Sequence, residues 1–303
     1  MKKVLSWPVF YELSEIYTAP LNMIWFMFAT AIAYQQYHLI NLINVLLCFA
    51  CVFLFDLAVN IADNYFDYLH GKDQHFLKKT NPIGRLKLSL PAVRNLVIIS
   101  YLISIIPGLI LVYRTGWQIL VLGMVGYFVG IFYTAGPKPI NATPICEAVV
   151  ALFISTFINI VGVYVNIYDT YQINWQLIGI IVLRVLPLTL IMYACQLGNN
   201  LCDLEEDLAN GRKTLVSYIG VKDALKLDKA IVITAMLLPI LLVIVRVMPW
   251  PIVFSSILLP LLMPQFNRFF TKPDKQTTYL LLVKNGSIFL VGYILLYTIL
   301  VFL

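Results

Sequence analysis

Charged residues are scarce in this sequence. They make up 12% of the 303 residues, whereas hydrophobic residues make up 61%. Soluble domains carry about 25% charged residues, so this composition excludes an ordinary soluble protein and indicates a polytopic membrane protein. The net charge of +6 does not call for a nucleic acid partner, because cytoplasmic loops that face anionic lipids carry such a charge.

Cysteine and histidine are also few. Five cysteines lie in or beside apolar segments, and the three histidines, His38, His70 and His75, are scattered. Cys48 and Cys51 have a C-x-x-C spacing, but they lie inside a predicted membrane span, which favours packing over redox or metal chemistry. No cluster of histidines or cysteines indicates a zinc site.

Long apolar runs dominate the rest of the chain. A membrane span needs about 20 predominantly apolar residues, and windows of that size predict an all-α fold, a polytopic bundle of about nine transmembrane helices. No soluble domain fits between them, so residues 1–303 are expected to form a single transmembrane domain. The predicted spans are 17–36, 41–64, 91–113, 117–134, 145–166, 175–198, 230–248, 250–267 and 278–302.

Lysine and arginine are unevenly distributed between the two sides of these spans. Most of them lie near the N-terminus or in the loops that follow an even-numbered span. The positive-inside rule therefore predicts a cytoplasmic N-terminus and a C-terminus outside the cell.

One polar pattern, N-x-x-D-x-x-x-D-x-x-x-G, occurs twice in the chain. It reads NIADNYFDYLHG at 60–71 and NLCDLEEDLANG at 200–211. Both copies end a long apolar run on the predicted cytoplasmic side, and parallel repeats of this kind commonly share a site. Residues i and i+4 lie on one face of a helix, so the aspartates of each copy are expected to point together.

Four carboxylates beside a membrane repel one another, and a divalent cation removes that cost. Carboxylate oxygens suit Mg²⁺, which takes one or two carboxylates together with phosphate oxygens and waters. Nearby basic residues suit an anion that needs both metal and cations. The sequence therefore predicts a diphosphate site, and the apolar helices around it indicate a prenyl diphosphate. The alternatives are solvated helix ends and an ion-coupled transporter, although transporters tend to place such acids near the midplane on broken helices.

The sequence resembles the UbiA superfamily of intramembrane aromatic prenyltransferases. The resemblance covers nearly the whole chain from about residue 15, and NIADNYFDYLHGKD, YTAGPKPI and NNLCDLEEDLANGRKTL carry it. The last two stretches look most like the branch that prenylates 1,4-dihydroxy-2-naphthoate for menaquinone biosynthesis.

The resemblance thus implies Mg²⁺-dependent transfer of a polyprenyl group from polyprenyl diphosphate to this acceptor, giving demethylmenaquinone. It also implies a multi-pass enzyme of the cell membrane with its active site on the cytoplasmic side. The acceptors 4-hydroxybenzoate, protohaem and chlorophyllide remain open alternatives.

The resemblance also implies roles for individual residues. The expected metal ligands are Asp63, Asp67, Asp203 and Asp207, which with Lys138 are also the expected catalytic residues. The expected substrate-binding residues are Asn60, Asn64, Arg85, Tyr133, Glu147, Asn199, Asn200 and Lys213.

The first motif departs from the usual family pattern. N-D-x-x-D is inverted here, so that the leading pair is Asp63-Asn64. Either Asp63 supplies the carboxylate that the next position normally gives, or the metal relies more on Asp67 and Asp73. The sequence leaves this choice open.

Overall fold

The computed structural model describes residues 6–18 and 22–303. These residues form helices joined by turns and loops, without any strand. The all-helical prediction is confirmed. The helices are α1 (Trp7–Ser14), α2 (Asn22–Tyr37), α3 (Leu42–His70), α4 (Pro82–Arg85), α5 (Leu90–Thr115), α6 (Trp117–Thr134), α7 (Cys146–Ile167), α8 (Trp175–Asn210), α9 (Leu215–Ile219), α10 (Val221–Ile244), α11 (Trp250–Thr271) and α12 (Thr278–Phe302). Of these, α7 includes a π-helical segment at Leu152–Phe157, and α11 begins with a 3₁₀ segment at Trp250–Ile257.

Eight helices within the described residues are long and apolar enough to cross a membrane, namely α3, α5, α6, α7, α8, α10, α11 and α12. The chain is therefore a multi-span membrane protein, as predicted. The remaining expected span, 17–36, includes residues outside the described part, and α2 is its described portion. The side of the membrane on which each terminus lies stays a prediction.

Several helix boundaries differ from the expected spans, such as the end of α3 at His70 instead of residue 64. The sixth span was expected to end at residue 198, but α8 continues to Asn210. Its last turns are polar, yet they hold no proline or glycine before Gly211, where φ is +83°. The seventh span was expected at 230–248, or as part of one long helix over 222–248 with a polar start. The structure agrees with the long helix, since α10 begins at Val221, directly after Gly220 with φ of +78°. Hydropathy locates only the part of a helix that lies in lipid. Gly211 marks the end of α8, and Gly220 marks the start of α10.

The chain divides into two compact units. The first comprises the described residues of Met1–Met23 together with Asn41–Thr143 and Leu208–Arg212, and the second comprises Ile24–Ile40, Pro144–Asp207 and Lys213–Leu303. The expectation of a single domain over 1–303 stays a prediction.

The first unit is built around α3. This helix packs along α5 and also contacts α1, α4 and α6. Near its C-terminal end, Ile61 and Ala62 are buried against Leu13 of α1 and Val93 of α5. The apolar face of α3 thus lies in a core, and its polar end carries the first aspartate motif.

The second unit has a large aromatic and aliphatic core. Phe28, Tyr293 and Tyr297 are buried and pack edge to face. Arg184, in the apolar part of α8, is buried beside them and donates from Nη1 to the Tyr297 hydroxyl at 2.9 Å and from Nε to the Val247 carbonyl at 3.2 Å. Neutral acceptors satisfy this intramembrane charge within the core.

Candidate active site

The first motif brings two carboxylates to a common partner. Asp63 and Asp67 lie one turn apart near the end of α3, and the Nδ2 atom of Asn141 lies 3.5 Å from Oδ1 of each. Asn141 is buried, in a short 3₁₀ turn of residues Ile140–Ala142. Helical spacing and this single amide together direct the two carboxylates to one place.

A cation completes this arrangement. Arg212 donates from Nη1 to Oδ2 of Asp67 at 3.1 Å, and its Nη2 lies 3.5 Å from the Asn141 carbonyl. The preceding Gly211 adopts the left-handed region that favours glycine. Two carboxylates, an amide and a guanidinium therefore meet at the end of α3.

The segment that carries Arg212 is fixed by the residue just before Gly211. Oδ1 of Asn210 accepts hydrogen bonds from the backbone N–H groups of Lys72 at 2.8 Å and Asp73 at 3.0 Å. The Asp73 carboxylate in turn accepts from the N–H groups of Phe76 and His75, and these bonds lower the pKa of Asp73. Asp73 thus organises the loop after α3.

The two asparagines of the first motif, Asn60 and Asn64, donate hydrogen bonds to α1. Asn60 donates from Nδ2 to the Ser14 carbonyl at 3.1 Å, and Asn64 donates to the Leu13 carbonyl at 3.2 Å. The last carbonyls of a helix have no intrahelical partner, so both amides cap the end of α1. The amide of Asn64 thus bonds to α1, whereas Asn141 lies beside Asp63 and Asp67.

The other expected residues of the first unit have different surroundings. Arg85 forms an ion pair with Glu12 of α1. Lys138 is exposed, within the G-P-K-P loop after α6, and Tyr133 is half-buried at the end of α6.

The second motif carries its own acid–cation cluster. Lys275, from the loop between α11 and α12, donates to Oδ2 of Asp203 at 2.5 Å and to Oδ1 of Asn199 at 2.6 Å. Asn199 also donates to Asp203, at 3.1 Å. Asp207 lies one helical turn farther along α8 and is buried.

Asn200 belongs to a different contact. It donates from Nδ2 to Oε1 of Glu147 at 2.8 Å, and both side chains are buried. The thiol of Cys146 lies 3.3 Å from the other Glu147 oxygen. This interaction connects the start of α7 to α8. Lys213, by contrast, is exposed.

The acidic pairs suit a hard cation. Among residues 6–18 and 22–303, no group of three or more His, Cys, Asp or Glu side chains forms a complete metal cage. Mg²⁺ does not require one, since one or two carboxylates suffice when substrate phosphates and waters supply the other ligands. The two aspartates of each motif fit that requirement.

Three polar residues at these clusters were not singled out from the sequence. Asn141, Asn210 and Lys275 each contact a motif or the loop that follows it. Asn210 lies within the second motif, and Asn141 follows the G-P-K-P loop closely, so their positions in the sequence could have marked them as site residues. Lys275 lies far from both motifs in sequence and looks like any loop lysine.

Comparisons with known proteins agree with this architecture. Residues 23–299 match the UbiA prenyltransferase family. The chain is similar to 1,4-dihydroxy-2-naphthoate octaprenyltransferase of Bacillus subtilis (strain 168), at 27% identity over 220 residues, which are 72% of this chain and 68% of that protein.

Two solved structures share the fold. A UbiA homologue from Aeropyrum pernix K1 superposes with a TM-score of 0.69 at 16% identity, covering 91% of this chain and 97% of that one. A UbiA homologue from Archaeoglobus fulgidus, solved with GPP and Mg²⁺, gives a TM-score of 0.62 at 12% identity, covering 96% and 98%. With the family match spanning nearly all of its membrane helices, the chain belongs to the UbiA family and is a membrane-embedded prenyltransferase.

Proposed function

We propose that this enzyme transfers a polyprenyl group from polyprenyl diphosphate to 1,4-dihydroxy-2-naphthoate in a Mg²⁺-dependent reaction that gives demethylmenaquinone. The observation that carries the proposal is the meeting of Asp63 and Asp67 at one amide, with Arg212 beside them. The name of the Bacillus subtilis relative supports the choice of acceptor, and the Mg²⁺ and GPP of the Archaeoglobus fulgidus homologue support the metal and the donor class.

Each motif is proposed to hold Mg²⁺ through its pair of aspartates, Asp63 with Asp67 and Asp203 with Asp207. The metal would neutralise charge on the departing diphosphate. Arg212 is suited to the same anion, because its planar guanidinium can donate two hydrogen bonds to phosphate oxygens.

Asp63, and not Asn64, is proposed as the metal-ligand position of the inverted pair. Asp63 shares the partner of Asp67, whereas the Nδ2 atom of Asn64 orients that side chain by donating to the Leu13 and Asn60 carbonyls. Asp73 is excluded from the ligand set in this proposal, since its carboxylate is committed to backbone N–H groups.

The organic chemistry requires a positive charge at C1 of the prenyl chain as the allylic C–O bond breaks. Aromatic ring faces stabilise such a cation, and Tyr65, Tyr133 and Tyr193 are the candidates in this chain. Lys138 is proposed to bind the acceptor carboxylate or a phosphate, and Glu147 to lie near the acceptor. The electron-rich naphthalene ring then attacks C1, the diphosphate departs, and the ring carboxylate is lost as carbon dioxide, so that the immediate product is the quinol form of demethylmenaquinone.

The apolar surface of the helices suits a long isoprenoid tail. Exposed side chains such as Leu102, Leu109 and Phe128 belong to α5 and α6, which lipid would cover. The basic loops favour a cell-membrane enzyme whose site faces the cytoplasm.

A competition assay tests the acceptor. Membranes that contain the enzyme receive one prenyl diphosphate with equal concentrations of 1,4-dihydroxy-2-naphthoate and 4-hydroxybenzoate. We expect prenylated naphthoquinone to dominate the product. A product dominated by prenylated hydroxybenzoate, or conversion of protohaem or chlorophyllide in parallel incubations without naphthoate conversion, would overturn the acceptor assignment.

A further inference from the structure

Lys275 is held at the second aspartate motif by a structured loop. Asp274 accepts hydrogen bonds from the backbone N–H of Thr277 at 2.9 Å and from its hydroxyl. The hydroxyl of Thr278 donates to the Lys272 carbonyl at 2.7 Å, which closes the loop onto the start of α12. Lys275 therefore projects from a loop whose shape is fixed by its neighbours.

The ammonium group of Lys275 occupies a cation position. It lies 2.5 Å from Oδ2 of Asp203 and 2.6 Å from Oδ1 of Asn199, and 5.2 Å from the ring centre of Tyr279. A carboxylate oxygen, an amide oxygen and an aromatic face are all groups that attract a cation. The side chain is still 43% exposed, so a phosphate can reach it without unfolding the loop.

We propose that Lys275 is a binding residue of the diphosphate site: it competes with the divalent cation for Asp203, and it donates to a phosphate oxygen when that cation is bound. The inference rests on the proposed function, because it takes Asp203 as a ligand of Mg²⁺. A divalent cation at Oδ2 of Asp203 would repel the ammonium that lies there, so we expect metal binding at this oxygen to displace the ammonium. A bound diphosphate would then offer the displaced ammonium an anionic partner.

This arrangement makes two opposite predictions for removal of the charge. Lys275→Met removes the competitor at Asp203, so metal binding at the second motif should tighten. The same change removes a phosphate donor, so binding of the prenyl diphosphate should weaken. If the lysine served only to stabilise the loop, its replacement would neither tighten metal binding nor selectively weaken diphosphate binding.

The first readout is Mn²⁺ binding to purified full-length protein, followed by electron paramagnetic resonance without any substrate. For an exposed ion pair we expect the dissociation constant of one Mn²⁺ site to fall about threefold to fivefold in Lys275→Met. Lys272→Met is the matched control, an exposed lysine of the same loop, and should leave it unchanged. In an Asp203→Asn background, the Lys275→Met effect should disappear.

The second readout is binding of a non-hydrolysable prenyl thiodiphosphate in the presence of Mg²⁺, measured by calorimetry. We expect about tenfold weaker binding in Lys275→Met, as for one charge-assisted hydrogen bond, and binding within twofold of wild type in Lys275→Arg.

Unchanged or weakened Mn²⁺ affinity in Lys275→Met, with wild type binding normally, would overturn the competition and leave the proposed function intact. A wild-type protein that binds neither Mn²⁺ nor the thiodiphosphate would overturn both.

Discussion

Arg212 and Asp67 form an ion pair of 3.1 Å across 145 positions of sequence. The arginine follows the second aspartate motif, whereas the carboxylate belongs to the first. Both side chains are largely shielded from solvent, with 27% and 23% of their surfaces exposed. Since shielded charges interact more strongly than solvated ones, this pair is a defining electrostatic feature of the first unit.

We expect Arg212→Gln to lower kcat/KM by at least tenfold, a loss of about 1.4 kcal/mol. The substitution removes the guanidinium beside Asp67 and leaves the two carboxylates of α3 without their counter-charge. Lys213→Gln changes the exposed neighbour, which the sequence also marked as substrate-binding, and should cost less than Arg212→Gln because the contact with Asp67 belongs to Arg212. Steady-state kinetics of both variants decide the matter. Equal losses would show that only the general positive charge of this loop counts.

Asp63→Asn should be severe, because it removes one of the two carboxylates that share the Asn141 amide. We expect a loss of activity of at least tenfold, or about 1.4 kcal/mol, with an unchanged melting temperature. A variant that keeps full activity would place the first metal elsewhere.

Asn64→Asp should act on stability instead. An aspartate cannot donate to the carbonyls of Leu13 and Asn60, and an acceptor left without its partner costs about 1–3 kcal/mol. We expect a lower melting temperature in detergent, with nearly normal activity in the protein that remains folded. Higher activity than wild type would instead indicate that position 64 is the ligand.

Activity should depend on a divalent cation. The paired aspartates favour Mg²⁺, since no group of three or more His, Cys, Asp or Glu side chains within residues 6–18 and 22–303 forms a cage for a softer metal. Excess chelator should abolish turnover, and added Mg²⁺ should restore it. Zn²⁺ at the same free concentration should restore much less, since oxygen donors alone are a poor zinc site. Full turnover in chelator would contradict the metal proposal.

Two glycines should respond in opposite ways to alanine. A Cβ atom on Gly84 would lie 1.7 Å from the Leu77 carbonyl oxygen, whereas one on Gly123 of α6 would meet nothing within 4 Å. Gly84→Ala must push α4 away from its neighbour, so we expect destabilisation of about 3 kcal/mol or more. Gly123→Ala should be neutral or stabilise by about 0.5–1 kcal/mol. Thermal unfolding in detergent checks both, and a stable Gly84→Ala variant would mean that the contact yields easily.

The sequence alone predicted the membrane-spanning helices. It also predicted that Asp63 and Asp67 lie on the same face of one helix. Lipid offers no hydrogen bonds to the backbone, so a long apolar run has to be helical. The helical repeat then directs residues i and i+4 to one side, whatever the rest of the chain does. Such conclusions depend only on local geometry and solvent.

Only the tertiary structure decided which of several equivalent polar residues serves each cluster. Arg212 and Lys213 are neighbours of like charge, and the fold places Arg212, not Lys213, in contact with Asp67. Asn64 caps α1, Arg85 pairs with Glu12, and Lys275 reaches Asp203 from 72 residues away. These choices depend on how separate segments pack, because a long polar side chain binds whatever partner the fold brings within about 3 Å. No local sequence pattern predicts which residues from separate segments will come that close together.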